Sequence, residues 1–335
     1  MTGTIILTGA NGSVGLYAAE HLLKTYPQYT AIFTVRSAAH RDVNTKSLRE
    51  VVSQHPEVQA SIHEVDLSRL SDVHEFASSV STAITAGQYP PLKSIICNAY
   101  YWNLVTDPEL TVDGYEKGFQ INHIAHVALV LRLVSQFAPD GGRIELLSSI
   151  THYCRPTQSS PYAAEMPDDL NQLIHPPCYK DKQARGFQRY GISKLTITTW
   201  LYPLNRYLQE ANNSKLSNIT AVAINPGNLG DSRAFGTNTP NSMKLMQRLV
   251  LRPFLPVLQR FVDPAFRSVA EAAVDVIDLG VGKAHPKERG YFTLLKKDES
   301  DPVTLNEDTQ QKIWIKSAEW AGITKDNTAL KVAFN

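Results

Sequence analysis

The 335-residue sequence predicts a doubly wound α/β fold, an open parallel sheet with helices on both faces, and three observations point to it. Short apolar runs alternate with longer helical patterns from the N-terminus to beyond the middle of the chain, and regular β-then-α alternation requires parallel strands joined by right-handed crossovers. The first apolar run ends in a turn of small residues that opens a helix. No internal repeat or polar linker divides the chain, so one domain over residues 1–335 is the economical reading.

The elements follow in order. Strands are expected at 4–8, 31–35, 61–65, 94–97, 143–147 and 219–224, each a short apolar or β-branched run as a sheet covered on both faces demands. Helical patterns lie between them at 14–24, 44–54, 69–85, 113–137 and 188–210. Residues 150–187 carry prolines at 156, 161, 167, 176 and 177 with few helical signals; loops this long are usually functional, so this is a substrate-side insertion. A second insertion, 228–266, is punctuated by Arg and Pro and rich in Leu, Phe and Val. Within it, residues 243–252 have the spacing of an amphipathic helix that covers a pocket or touches a membrane, a lid or partner face being the plainer reading. Ser268 can cap a helix over 269–279, with Glu271 completing a capping box, and 291–295 reads as the last strand.

Composition narrows the function. Lys+Arg 33 against Asp+Glu 32 leaves a net charge of +1, which argues against a nucleic-acid binder that relies on phosphate neutralisation. The hydrophobic fraction of 43% is ample for a buried core and leaves a small molecule or a protein as partner. Cys97, Cys154 and Cys178 are odd in number and widely spaced, which suits a reducing cytosol better than a disulfide framework or a zinc site. No metal-ligand spacing occurs, and the N-terminus has no basic region or cleavage site of a signal peptide. The apolar stretch 124–134 is short for a membrane span and is interrupted by His126 and Arg132, so a cytoplasmic protein is expected. Membrane contact through 243–262 and assembly into a homo-oligomer stay open.

Two motifs carry chemistry. The turn Thr8-Gly9-Ala10-Asn11-Gly12-Ser13-Val14-Gly15 stands between strand and helix, where small residues let the backbone approach a pyrophosphate and the helix start offers free N–H groups. This makes the sheet Rossmann-like. At the end of the second strand, where a binder of NAD(H) places an acid for the ribose hydroxyls, the chain reads Thr34-Val35-Arg36-Ser37. Arg36 can stack on adenine and pair with a 2′-phosphate, helped by Ser37, so NADP(H) is favoured over NAD(H); a solvated surface arginine is the alternative. Of the 14 tyrosines, only Tyr89 and Tyr190 have a lysine four residues later, and Pro90-Pro91 rules out a helix after Tyr89. Tyr190 and Lys194 project from one helix face a turn apart, and a nearby ammonium should lower the phenol pKa and make it a better proton donor.

Together these segments resemble the short-chain dehydrogenase/reductase family over residues 4 to about 230. The family's motifs appear in order as Gly9/Gly15, Asp66-Leu67, Asn98-Ala99-Tyr100, Asn122, Ser148-Ser149, Tyr190/Lys194 and Asn225-Pro226-Gly227. Gly290-Tyr291-Phe292 and the segment from Gln311 to Trp314 look like its retinol dehydrogenase-like branch. The resemblance implies Tyr190 as general acid or base, Lys194 as its electrostatic partner and ribose ligand, Ser149 as the donor to the substrate carbonyl, and Asn122 as holder of a relay water. It also implies that Gly9, Asn11, Gly12, Ser13, Val14 and Gly15 cradle phosphate, that Asp66 and Leu67 flank adenine, and that Asn98 and Ala99 support the central strand. Pro226, Gly227 and Leu229 would lie beside the nicotinamide. Departures are Ser13 in place of the middle glycine, Tyr100 in place of the glycine after Asn-Ala, the distance in sequence between Ser149 and Tyr190, and Asp231 where a Thr often stands.

The function expected is an NADP(H)-dependent reductase or dehydrogenase interconverting carbonyl and alcohol on a bulky apolar molecule, steroid-, retinoid-, terpenoid- or polyketide-like. The two insertions should enlarge and cover the pocket. Secondary-metabolite biosynthesis follows from the resemblance alone. An isomerase or cyclisation catalyst without net redox change, and a nucleotide-sensing scaffold without chemistry, are the alternatives. Trp102, Tyr153, Phe187 and Phe235 are candidate pocket aromatics, and His123, His126 and His152 are candidates to face substrate, although core residues are the plainer account.

Overall fold

The sheet begins with β1 (Thr4–Leu7), four residues with no polar side chain beyond the first, and each later apolar run adds a strand. In the computed structural model, which describes residues 3–157 and 160–334, the elements run α1 (Ser13–Thr25), β2 (Thr30–Val35), α2 (Val43–Ser53), β3 (Ala60–Glu64), α3 (Leu70–Thr85) and β4 (Leu92–Cys97). They continue with α4 (Lys117–Phe119), a π turn (Gln120–Ile124), α5 (Ala125–Leu133), β5 (Gly142–Leu147), α6 (Asn171–Ile174), α7 (Lys182–Glu210), α8 (Ser214–Ser217), β6 (Ile219–Asn225) and β7 (Asn228–Leu229). The C-terminal part holds α9 (Asn241–Met246), α10 (Leu255–Phe261), β8 (Phe266–Arg267), α11 (Val269–Gly280), β9 (Gly290–Thr293), β10 (Lys296–Lys297) and α12 (Glu307–Trp320). Met1, Thr2, Gln158, Ser159 and Asn335 of the expected domain lie outside the described residues.

The main sheet has the order β10-β9-β6-β5-β4-β1-β2-β3, parallel except for β10, while β7 and β8 form a separate parallel pair. The winding reverses between β1 and β4, which opens a crevice at the C-terminal ends of those strands. One face is covered by α3, α5, α7 and α12, where Trp200 and Trp314 stack with ring centroids 5.5 Å apart. The other is covered by α1, α2 and α11, packed on Ile5, Leu7, Phe33 and Val222.

Several elements differ from the sequence reading. The helix expected from 113 starts at Lys117, because the Glu116 carboxylate accepts the Phe119 amide at 2.6 Å and caps it there. The helix expected from 188 starts at Lys182 under the Asp181 cap, which accepts the Ala184 amide at 3.0 Å, so the insertion that begins at 150 ends before it. The last strand stops at Thr293, where Leu294 turns the chain at φ 56° into β10. The helix expected at 243–252 is formed, as the end of α9 running directly into a π turn (Gln247–Leu251). The capping box of Ser268 and Glu271 stands as expected.

One buried group opposes the fold. Glu145 on β5 is fully buried and neither carboxylate oxygen has a hydrogen-bond partner among the described residues. Gly280, whose Cβ would collide with it, leaves it room. The Arg143 guanidinium is spent on the carbonyls of Leu279, Ala284, His285 and Glu288 at 2.8–3.3 Å. Burial therefore holds the Glu145 carboxyl well above the usual carboxylate range, against the pull of Arg143. The folded chain keeps this proton where the unfolded chain releases it, so stability falls as pH rises above that range, by up to about 1.4 kcal/mol per pH unit. In urea titrations between about pH 5 and pH 8, Glu145→Gln should gain steadily in unfolding free energy over the parent; equal pH slopes would contradict the assignment.

Candidate active site

The crevice is built from the turn after β1. Gly9 sits at φ +64°, and a Cβ there would lie 2.9 Å from the Ala99 backbone, so only glycine lets β1 and β4 end this close. A Cβ on Gly15 would collide with the Gly9 carbonyl. Gly12 takes the N-cap position of α1 and offers no side chain to its first N–H groups, with Ser13 and Val14 as the first residues of the helix. Asn11 donates to Thr45 Oγ1 at 2.8 Å, and Thr45 Oγ1 donates to the Ser37 carbonyl at 2.7 Å, which ties the turn to the end of β2. Arg36 is exposed there, and Ser37 Oγ accepts the Ala39 amide at 3.3 Å.

A buried network fixes the crevice floor. Asn98 donates to the carbonyls of Thr8 at 2.9 Å and Gly9 at 3.2 Å, and the Ala99 amide donates to Thr8 Oγ1 at 3.0 Å. The Thr8 hydroxyl also meets His126 Nε2 at 3.1 Å, while His126 Nδ1 faces the Asn122 carbonyl at 3.4 Å and must carry the hydrogen. Burial, helped by Lys194, pushes the His126 imidazole down to about 3, so it stays neutral. Asn122, in the π turn, accepts the Tyr101 amide at 2.7 Å and donates to the Tyr101 carbonyl at 3.0 Å and Ser193 Oγ at 2.9 Å. Its side chain is a clamp on the loop after β4. His123 is buried against Ser317 Oγ at 2.6 Å, so neither histidine faces a substrate.

The catalytic candidates meet at the end of β5. Ser148 points inward to Thr198 Oγ1 at 2.7 Å, whereas the Ser149 hydroxyl lies beside the Tyr190 phenol and favours its ionised form, so residues far apart in the sequence share one site. His152 holds this end in place, its Nδ1–H donating to the Ser149 carbonyl at 2.8 Å and its Nε2 accepting the Asp301 amide at 3.1 Å. Lys194 is buried and donates to the Leu147 carbonyl at 2.7 Å, with Nζ 5.6 Å from the Tyr190 ring centre. Here the expectation of a lowered phenol pKa fails. Desolvation by its neighbours pushes the Tyr190 phenol up, with Tyr100 adding to it, and desolvation brings the Lys194 ammonium down to about 7.

Aromatic rings close over Tyr190. Trp102 meets Phe187, Phe235 and Tyr190 edge to face at 5.6–5.7 Å, and Tyr100 meets Tyr190 at 6.1 Å. A cavity beside Tyr190, bounded by Asn103, Glu116 and Gly186 among others, is about 10 Å³. Tyr153 is not part of this group, since its hydroxyl donates to the Glu299 carbonyl at 2.7 Å and its ring stacks on His152. Met243 joins Leu104 and Phe187 as the inner side of the cover.

The remaining expected residues are placed as follows. Asp66 accepts the amide and hydroxyl of Ser68 at 2.9 and 2.7 Å, and Leu67 is buried beside it. Gly227 follows Pro226 at φ +95°, where a Cβ would lie 2.6 Å from the Ala265 carbonyl, and Leu229 on β7 packs on the α1 side of the core. Asp231 accepts the Val269 amide at 2.9 Å and so caps α11. Arg233 is a residue that sequence reasoning missed. It donates to the Asn11 carbonyl at 2.7 Å and to the Asn44 side chain, and its backbone amide donates to Ser13 Oγ at 2.8 Å. No local signal marks it, because its partners lie 189 to 222 residues away in the chain.

Residues 233–330 match the family model of the AcuH dehydrogenase domain. Over nearly its whole length the chain is similar to the short-chain dehydrogenase iccH of Talaromyces variabilis, 27% identical over 372 aligned positions that cover 98% of each protein. Dehydrogenase acuH of Aspergillus aculeatus is 41% identical over 93 residues, 28% of this chain and 94% of that protein. Among solved structures, the NADPH-bound carbonyl reductase from chicken fatty liver has a TM-score of 0.59 at 18% identity, covering 89% of this chain and 99% of that one, a likeness of fold.

The burial of Lys194 has a direct readout in the protein without ligand. The Cε resonance of Lys194, assigned by its loss in Lys194→Met, should titrate near pH 7. A resonance that stays at its charged position to about pH 10 would refute the desolvation argument.

Proposed function

The chain belongs to the short-chain dehydrogenase/reductase family, and on that premise we propose that it is an NADP(H)-dependent oxidoreductase that interconverts a carbonyl and an alcohol on a bulky, mostly apolar substrate. The observation that carries this reading is the meeting of Tyr190, Ser149 and Lys194 at the end of β5, beside the crevice of Gly9, Gly12 and Gly15. Tyr190 is assigned as general acid toward a carbonyl oxygen, and Ser149 as the hydroxyl that holds that oxygen. Lys194, held by Leu147, is placed to recover its full charge when an anionic or polyhydroxyl ligand enters, and that charge then favours phenolate. Asn122 is assigned as a clamp that fixes the floor, in place of the direct relay role its motif implies.

The residues fit a dinucleotide phosphate. The first turn of α1 has no side-chain cap, and Arg233 spans Asn11, Ser13 and Asn44 with neutral acceptors only. Arg36 and Ser37 stand at the end of β2, where a 2′-phosphate is distinguished from a free hydroxyl. When bound, NADP(H) supplies or takes the hydride, and the chain aligns the reacting carbon and the phenol. NADPH in the chicken liver carbonyl reductase is consistent with this choice. Trp102 beside Tyr190, with Phe187, Phe235 and Met243 grouped around it, gives the approach to the phenol an apolar lining that favours an apolar guest. We read the described residues as one domain, with the stretch that begins at 150 and residues 228–266 as its substrate-side additions.

Tyr190→Phe should lower the rate of ketone-dependent NADPH oxidation by about a hundredfold to ten-thousandfold while NADPH binding, followed by its fluorescence, stays within a few-fold. Parent-like turnover in this variant would overturn the mechanism, and product formed without NADPH consumption would turn the reading to an isomerase. Arg36→Asp should shift kcat/KM from NADPH toward NADH by roughly tenfold to a hundredfold, as loss of one charge-assisted contact predicts; an unchanged ratio would remove Arg36 from the site.

A further inference from the structure

Residues 241–262 are folded the wrong way round for an ordinary surface segment. Gln247, a polar residue, is buried and donates to the carbonyls of Gly230 at 3.1 Å and Ser232 at 2.5 Å. The large apolar residues around it point outward: Leu249 is 57% exposed, Val257 50%, Phe254 52% and Phe261 79%. Leu251 and Leu255 pack inward on Gly230, so the segment is apolar on both sides while one side stays open to water. Burying the outer apolar side chains of such a ridge releases the same hydrophobic free energy that builds a core.

The charges say what kind of cover fits. Residues 241–262 hold Lys244, Arg248, Arg252 and Arg260 and no Asp or Glu. Among the described residues none of the four is in an ion pair, and Arg252 reaches only the Asp231 carbonyl at 3.3 Å. The neighbouring carboxylates are already engaged, Glu271 by the cap of α11 and Gln259, Asp231 by the Val269 amide and Asp263 by the Ala265 amide. A second copy of the chain is a poor occupant, because a two-fold contact brings the same patch against itself and sets four cations against four. A membrane surface with anionic lipids supplies both parts, headgroups for the cations and an acyl boundary for the exposed Leu, Val and Phe side chains.

We propose that residues 241–262 dock this protein on the surface of an anionic membrane, with Leu249, Phe254, Val257 and Phe261 inserted at the acyl boundary and Arg248 and Arg260 at the headgroups. The segment lies on the surface and does not cross: no described helix is long and apolar enough to span a bilayer. This proposal stands apart from the catalytic assignment. Its inner side carries Met243 of the cover over Tyr190, so docking would turn the cover toward the lipid.

Flotation of the full chain with phosphatidylcholine vesicles, with and without phosphatidylserine, tests the proposal. The parent should float with the phosphatidylserine vesicles at low salt and be partly released at high salt. Arg248→Gln with Arg260→Gln should weaken partition by roughly tenfold or more, and Leu249→Ser with Phe261→Ser should weaken it at both salt concentrations. Both double variants change exposed side chains, so an unchanged urea unfolding midpoint confirms that loss of flotation is not loss of fold. A parent that stays at the bottom of the gradient, or double variants that float like the parent, would overturn the proposal. So would a dimer in sedimentation velocity that Leu249→Ser with Phe261→Ser dissolves, since the face would then belong to a second copy.

Discussion

The tie between the ends of β1 and β4 is the constraint on which the rest of the site depends. At a winding reversal the connections leave to opposite faces of the sheet, and here Asn98 ties the two strand ends together by donating to the carbonyls of Thr8 and Gly9 while the Ala99 amide closes on the Thr8 hydroxyl. These are buried polar groups, so each partner left unmade costs about 1–3 kcal/mol, and the set is satisfied in one arrangement only. His126 carries the same constraint across the sheet to the Asn122 carbonyl, and Asn122 carries it on to the loop after β4. That loop ends in Tyr100 and Trp102, whose rings pack against Tyr190. The place of the phenol relative to the glycine turn is thus set through an unbroken chain of hydrogen bonds and ring contacts.

Positive charge without compensation is the second theme. Lys194 is buried with only a carbonyl for company, the start of α1 has no acidic residue in its first turn, and Arg233 touches only neutral oxygens. Among the described residues, no ion pair involves Arg36, Lys194 or Arg233. Desolvated cations are costly when nothing opposes them, as the depressed Lys194 shows. Cations along one crevice lower the free energy of an extended anion more than that of a neutral ligand, which is the physical content of the proposed preference for a phosphorylated dinucleotide.

The parts legible in the sequence are those with local causes. The apolar runs, the turn of Gly9 to Gly15, the spacing of Tyr190 and Lys194 and the capping box at Ser268 are each set by residues a few positions apart, and they stand where expected. The start of α7 has a local signal too, since Asp181 is a cap residue, but the nearby Pro176-Pro177 argues for a loop. What could not be read is what depends on distant partners. Ser149 reaches Tyr190 because β5 and α7 are neighbours in space, and Asp231 leaves the crevice because the start of α11 competes for its carboxylate. The phenol pKa differs from its expected direction for a related reason: helix spacing places the ammonium one turn away but says nothing of the Leu147 carbonyl that claims it or of the burial that weakens it.

Gln247 shows how one polar residue can decide the use of a whole segment. By periodicity alone, residues 243–252 would turn their Leu and Val side chains toward the core and leave glutamine in water. The carbonyls of Gly230 and Ser232, freed from regular pairing just after β7, need donors if they are to be buried, and Gln247 supplies them. Meeting that demand rotates the segment, and Leu249 is carried outward by the same rotation that brings Gln247 in. The unspent apolar surface is therefore a consequence of hydrogen-bond satisfaction beneath it. Because the same stretch lays Met243 on the aromatic cover, whatever binds the outer ridge bears on the opening above Tyr190.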